Sequence, residues 1–266
     1  MYFSTHLNHT HIFMRSRRVI LLFVSIAGLL IGWQLLVTFG DFPRFILPSP
    51  GDVLNRFLET VGDGSLFRHL ATTLKEVFWG LALGVSFASI LGYLIAKSRW
   101  IERLLSPYIV ASQSVPLVAI APLLVIWFGP GMLSKILIAA LIVFFPVLVN
   151  TVVGVRAVPE DLHALMRSLQ ATRWQTLRLL EIPAALPVFF GGLRVGATLA
   201  VIGAVVGEFV GADSGLGFLI NVGRGLYDTA LVFVAVFVLI SMALILYGIV
   251  VGLEARLLAW QRRAED

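Results

Sequence analysis

Glu208 follows Gly203 and Gly207 and precedes Gly211 in an apolar run. The four-residue spacing puts the small residues on one helix face, where a second helix can approach closely. An acid in such surroundings is costly and faces either a cavity or a partner. Two roles fit: Glu208 lines a path or a subunit interface near an outer gate, or it is a structural acid that pairs with Arg224 or is hydrated. In another apolar run Ser112, Gln113, Ser114 and Pro116 supply polar side chains and a helix break. Polar groups and a freed carbonyl in hydrocarbon need partners, so this stretch lines a wet path or bonds to neighbouring helices. Catalytic chemistry finds no support. H-E-x-x-H and G-x-S-x-G are absent, and His6, His9, His11, His69 and His163 do not fall in a metal-ligand pattern. The histidines near the N-terminus fit a solvated tail. With no cysteine, disulfides, thiolate metal sites and thiol nucleophiles are excluded. Gly92 to Ser98 ends in Ala96-Lys97-Ser98, with alanine where a phosphate-binding loop needs glycine, so this chain is expected to bind no nucleotide, metal or other cofactor.

The elements that must position these residues are long and apolar. Of 266 residues, 59% are apolar and 13% charged, and the mean hydropathy is +0.95, far from the balance of a water-soluble domain. Runs of about 20 apolar residues match the helix length that crosses the hydrocarbon core of a bilayer. The sequence predicts an all-α membrane protein with about six spans, near 19–39, 72–96, 104–128, 132–155, 186–207 and 229–253. Most Lys and Arg residues fall in four places: Arg15, Arg17 and Arg18; Lys97, Arg99 and Arg103; Arg156, Arg167, Arg173 and Arg178; Arg256, Arg262 and Arg263. The positive-inside rule then puts both termini, the loop near residue 100 and the loop 156–182 in the cytoplasm of a multi-pass inner-membrane protein. The net charge of +5 and pI near 10 report this topology and not nucleic-acid binding, because no basic stripe interleaves with aromatics.

The expected organisation is a cytoplasmic tail (1–18), a first span (19–39), an outer loop (40–70), a core of five spans (71–253) and a cytoplasmic tail (254–266). Ser16-Arg17-Arg18 before an apolar run resembles a weak twin-arginine signal, but the run is long and lacks a small-x-small cleavage site, so it reads as an anchor. In the outer loop, Leu47-Pro48-Ser49-Pro50 precedes a helix whose Val53, Leu54, Phe57, Leu58 and Val61 share an apolar face suited to the membrane interface. Trp127-Phe128-Gly129-Pro130-Gly131 reads as a tight outer turn.

The segment 156–182 carries helical amphipathicity outside any span. Pro159-Glu160-Asp161 opens a helix with Leu162, Leu165, Met166 and Leu169 on one stripe. Gln170 and Ala171 interrupt it. Thr172 with Gln175 forms a capping-box pattern for a second short helix, in which Trp174 and Leu177 share a face and which Pro183 limits. The pattern alone leaves two uses open: the stripe packs beneath the chain's own spans, or it docks on a partner.

Arg167-Ser168-Leu169-Gln170-Ala171-Thr172-Arg173-Trp174, then Ile182-Pro183-Ala184-Ala185-Leu186-Pro187 and Gly191-Gly192-Leu193-Arg194, resemble the cytoplasmic EAA loop of binding-protein-dependent ABC importer permeases. Leu47-Pro48-Ser49-Pro50, Ser114-Val115-Pro116, Ala121-Pro122-Leu123, Trp127-Phe128-Gly129 and Ser214-Gly215-Leu216-Gly217 extend the likeness over most of the chain, toward the branch for sulfonates, nitrate and vitamins or their precursors. The resemblance implies the type I importer permease fold and a non-catalytic transport subunit. It implies a second permease copy, an external solute-binding protein, and a separate ABC ATPase that carries ATP and Mg. The docking face for that ATPase would be Asp161, Leu162, Leu165, Met166, Leu169, Gln170, Ala171 and Trp174. The loop departs from the family pattern where Ala164, Leu165 and Met166 replace Glu-Ala-Ala and Gln170 replaces glycine. If that turn needs a positive φ, Gln170 costs roughly 1 kcal/mol. Val125 to Asn150 and Phe209 to Asp228 are most similar to permeases for riboflavin or for the pyrimidine of thiamine, with sulfonate, taurine or nitrate as the alternative. An ion-coupled secondary transporter would instead need paired intramembrane ion ligands near the midplane, and a membrane enzyme a catalytic constellation.

Overall fold

The computed structural model describes residues 7–113 and 116–262, and within them every side chain except those of residues 7–20, 22, 112, 113, 117, 261 and 262. The described residues form helices and connections, with no strand among them. Five helices or helical runs are long and apolar enough to cross a bilayer: the stretch Phe23–Gly40 of α1 (Leu7–Gly40), α3 (Ser65–Lys97), α6 (Met132–Arg156), the run Arg173–Gly211 that ends in α9 (Ile182–Gly211), and α11 (Thr229–Leu257).

The expected single span at 104–128 is corrected. The chain forms two helices here, α4 (Arg99–Gln113) and α5 (Leu117–Phe128). The break has a cause in the sequence: Pro116 is extended at φ −65° and ψ 105°, and a proline has no amide hydrogen to continue a helix. The two pieces still make one crossing. α3 ends with Lys97 against Glu181, whereas α6 begins with Lys135 against Gly207, at the far end of α9. The chain between them must therefore return from one end of the bundle to the other, and 15 and 12 residues of helix span roughly 40 Å at 1.5 Å per residue.

α6 is the central helix, with α3 on one side and α9 on the other. Glycines set those approaches. A Cβ on Gly80 would lie 2.5 Å from the Ala139 Cβ, and one on Gly84 2.6 Å from the Ala140 carbonyl. From α9, a Cβ on Gly203 would lie 2.6 Å from the Ala139 Cα. Small residues bring helices this close where lipid gives no hydrophobic drive to pack them. Val77, Val143, Val147, Ala200, Ala204 and Val234 fill the shared core.

α2 (Pro50–Gly62) starts with a complete capping box: the Ser49 hydroxyl accepts the Asp52 amide, and the Asp52 carboxylate accepts the Ser49 amide at 3.1 Å. The two hydrogen bonds from Ser49 hold the Asp52 carboxyl below its ordinary value. Val53 is buried, while Leu54, Phe57 and Leu58 of the same apolar face stay exposed. α1 is pinned where the Trp33 indole stacks on Phe233 and donates to the Pro48 carbonyl at 3.1 Å. A Cβ added to Gly28 or Gly32 would meet nothing within 4 Å.

Candidate functional site

The segment after α6 folds as the sequence suggests, with two refinements. α7 (Glu160–Ser168) is a helix in which every residue is exposed or partly exposed. Leu162, Leu165 and Leu169 are 40%, 52% and 68% exposed. That exposure removes the reading in which the stripe packs beneath the chain's own spans. At the end of α7 the Ala171 amide donates to the Met166 carbonyl and the Gln170 amide to the Arg167 carbonyl, with Gln170 at φ +52°. This is a Schellman turn, whose left-handed residue is normally glycine. The turn does require a positive φ, so Gln170 carries the strain expected for a residue with a Cβ. Glu160 is bonded to Arg167 at 2.9 Å, and that guanidinium holds its carboxyl below the ordinary range.

Thr172 caps α8 (Arg173–Thr176) and its amide donates to Gln175 Oε1 at 2.7 Å, completing the second capping box. Pro183 does not limit this helix, which corrects the expectation. Residues Leu177–Glu181 widen into a π-helical turn, the Ile182 amide reaching the Leu177 carbonyl. The helical run continues without a break into α9, with Pro183 just after the widened turn. The widened turn also separates Trp174 from Leu177. Trp174 stays 66% exposed, whereas Leu177 lines an apolar cavity of about 400 Å³ between α3, α6 and α9.

Glu181 fastens this segment to the bundle. It is buried, accepts from the Lys97 ammonium at 2.6 Å and from the Tyr93 hydroxyl at 3.0 Å, and lies 3.9 Å from His163 Nδ1 of α7. A push on α8, which runs directly into the turn that carries Glu181, therefore has a bonded route into α3. Arg156, at the end of α6, is tied to Glu102 at 2.7 Å.

The opposite end of the bundle holds a second polar assembly. Glu208 is 1% exposed and accepts from the Thr73 hydroxyl at 2.7 Å and from the Gly217 amide. The Leu216 amide donates to Thr73 Oγ1 at 2.8 Å, and the Gly215 amide to His69 Nδ1 at 3.0 Å. The connection from α9 to α10 (Leu216–Gly225) is thus fixed to α3 through its own backbone. The expected pairing of Glu208 with Arg224 is corrected: Arg224 is exposed, and backbone and hydroxyl donors occupy Glu208 instead. Close approach explains the glycines here, because a Cβ on Gly217 would lie 2.8 Å from Glu208 Oε2.

Among the other expected path residues, Ser114 and the side chains of Ser112 and Gln113 lie outside the described residues, and Pro116 is exposed at the start of α5. The sequence reading missed Glu76 and Lys135, which are 1% and 3% exposed inside α3 and α6. A signal was present. His69, Thr73, Glu76 and Gly80 recur at spacings of three and four, a polar stripe on one face of a span. Among the described residues no cluster of His, Asp and Glu suits a metal ion.

Comparison with known proteins gives a consistent result. Residues 80–259 match the family described as binding-protein-dependent transport system inner membrane component. The chain is 48% identical over 238 residues to the riboflavin transport system permease protein RibX of Chloroflexus aurantiacus, covering 90% of this chain and 89% of that protein. It is 35% identical over 219 residues to the formylaminopyrimidine transport permease protein ThiX of Halalkalibacterium halodurans, covering 82% and 87%. The taurine transport system permease protein TauC of Escherichia coli is 33% identical over 250 residues, covering 92% and 91%. In fold, the chain is similar to the inward-facing MetNI methionine ABC transporter with a TM-score of 0.64 at 18% identity, covering 73% of this chain and 96% of that one.

Proposed function

This chain belongs to the binding-protein-dependent transport system inner membrane components, and from that premise we propose that it moves a vitamin or vitamin precursor inward using ATP hydrolysed by a separate subunit. As a permease it is a non-catalytic transport subunit. The observation that carries the energy coupling is the exposed apolar stripe of α7, with Trp174 beyond it, on a segment bonded to the spans through Glu181. A surface of that kind buries its apolar area only against a partner.

The partner in this reading is an ATPase that binds ATP and Mg and seats α7, the Gln170 turn and α8 in a cleft. Asp161, Leu162, Leu165, Met166, Leu169, Gln170, Ala171 and Trp174 form the contact. The arginine-rich end of the bundle is then cytoplasmic, together with both termini, in keeping with the six crossings and the positive-inside rule. A solute-binding protein delivers at the opposite end, and a second copy of this chain completes the path. The substrate assignment rests on the relatives named for riboflavin and formylaminopyrimidine transport. Sulfonate or taurine is the second reading, favoured by the likeness to the taurine permease.

The test is ATP-driven uptake by proteoliposomes that hold this chain and its ATPase, with the binding protein added outside. Riboflavin or formylaminopyrimidine should accumulate only with ATP present. Accumulation of taurine alone would replace the substrate class, and uptake driven by an ion gradient without ATP would overturn the reading.

A further inference from the structure

Glu76 and Glu208 are two acids, each 1% exposed, on facing helices in the half of the bundle remote from the arginine-rich loop. Thr73, three residues before Glu76 on the same face of α3, donates to Glu208 at 2.7 Å, which brings the two acids to one site between the helices. Yet Glu76 Oε2 is fully enclosed and has no donor among the described residues. Two bare carboxylates offer only acceptors to one another, and a buried acceptor left unmade is costly. Lys135 does not resolve the conflict by direct pairing: its ammonium is bonded to the carbonyls of Pro130 and Gly131.

We infer that Glu76 and Glu208 bind a single proton between them, carried on Glu76, and that this proton clamps the 212–217 segment onto α3. The hydrogen bonds fix which acid carries it. Glu208 already accepts from the Thr73 hydroxyl and the Gly217 amide, the arrangement that suits the ionised partner. Glu76, with an enclosed oxygen and no donor, is suited to be the neutral acid. The proton removes one of two negative charges from a buried site.

The clamp follows from connectivity. The Glu208 carboxylate is the acceptor that holds Gly217, and Thr73 passes the chain on to Leu216. Loss of the proton would put a second carboxylate against the first, and a Glu208 carboxylate that turns away from it gives up the Gly217 amide and loosens the segment. A route for exchange is present, because Glu76 also lines a polar cavity of about 620 Å³ with Thr72, Lys135, Asp213 and Ser214.

The charged groups around the pair are Lys135 from α6 and Asp213 from the segment, with His69 on α3 itself. α10 places Phe218 against His69 and keeps its Arg224 exposed, and α5 has no titratable side chain. His69 acts in the opposite direction of pH. Its Nδ1 accepts the Gly215 amide, so a proton gained there on the acid side would break a bond to the same segment.

The test uses the full chain in lipid nanodiscs, by infrared spectroscopy and by amide exchange of 213–217 corrected for its intrinsic pH dependence. At neutral pH the wild type should show a carbonyl stretch of a protonated carboxyl group that Glu76→Gln lacks. On alkaline titration that band should vanish while exchange of the segment rises by roughly tenfold or more, the effect of leaving a buried acceptor unmade. Glu76→Gln, whose amide donates in place of the proton, should show no such rise. Identical infrared spectra for wild type and variant would overturn the shared proton. An equal alkaline rise in exchange in both would overturn the clamp. Should the variant fail to insert, wild-type protein with isotope-labelled glutamate decides alone: a band that titrates without any change in exchange contradicts the clamp.

Discussion

Leu165 lies at the middle of the α7 stripe, and its replacement puts a number on the docking surface. It is 52% exposed, so about half of its side chain remains to be covered by a partner. Burying a whole leucine contributes roughly 1.5–3 kcal/mol, which leaves about 1 kcal/mol for the exposed half. Leu165→Ala should therefore weaken ATPase binding by about fivefold, since about 1.4 kcal/mol is a factor of ten. Leu165→Asp adds the cost of enclosing an unpaired charge, several kcal/mol at least, and should abolish measurable binding. The assay is the Kd between the ATPase subunit and this chain in nanodiscs, read alongside circular dichroism of the variants. The spans should be untouched, because every residue of α7 is at least partly exposed. A Kd for Leu165→Asp within about threefold of wild type would refute the use of this face, since that is below 1 kcal/mol.

Other perturbations probe the elements that hold the site. Gln170→Gly should stabilise the already formed turn by up to about 1 kcal/mol, read as amide exchange at Ala171 slowed by up to about fivefold, because glycine relieves a left-handed residue; faster exchange would contradict the strain argument. Gly80→Val should prevent recovery of folded protein, measured by size-exclusion chromatography, since even a Cβ there meets Ala139 at 2.5 Å. Ser49→Ala should remove about 1 kcal/mol of stability at neutral pH by loss of an N-cap. The Asp52 carboxyl is held below its ordinary value by Ser49. Its share of that stability is therefore complete above the usual carboxylate range and lost as pH falls through the lowered value. Denaturation midpoints for wild type and Ser49→Ala should converge on acidification.

Much of the bundle was legible because hydrocarbon imposes a simple rule: long apolar runs between arginine clusters become spans. Capping residues were equally plain. Ser49 with Asp52 and Thr172 with Gln175 are local patterns, and both form complete boxes. Proline was harder to interpret. Pro116 breaks a crossing and Pro183 does not, because a π-helical turn at Leu177–Glu181 resets the ladder before Pro183. No pattern of residue types announces that widening. Long-range partners were also hidden. Glu208 stood out as an intramembrane acid, but Thr73 is 135 residues away in the chain, and only the packing of α3, α6 and α9 brings them together. Glu181 likewise sat unremarked two residues before a proline, although Lys97 and Tyr93 converge on it.

The central claim is that this permease takes its energy from a separate ATPase seated on α7 and α8. The most direct test is affinity purification of the tagged chain from its native membrane in mild detergent, followed by mass spectrometry, for wild type and for a variant with both Leu165→Asp and Met166→Asp. A P-loop ATPase should co-purify with the wild type and be absent from the variant, which should be recovered at a similar level. Recovery of the wild type without an ATPase, under conditions that keep other ABC transporters assembled, or equal recovery of the ATPase with both proteins, would contradict it.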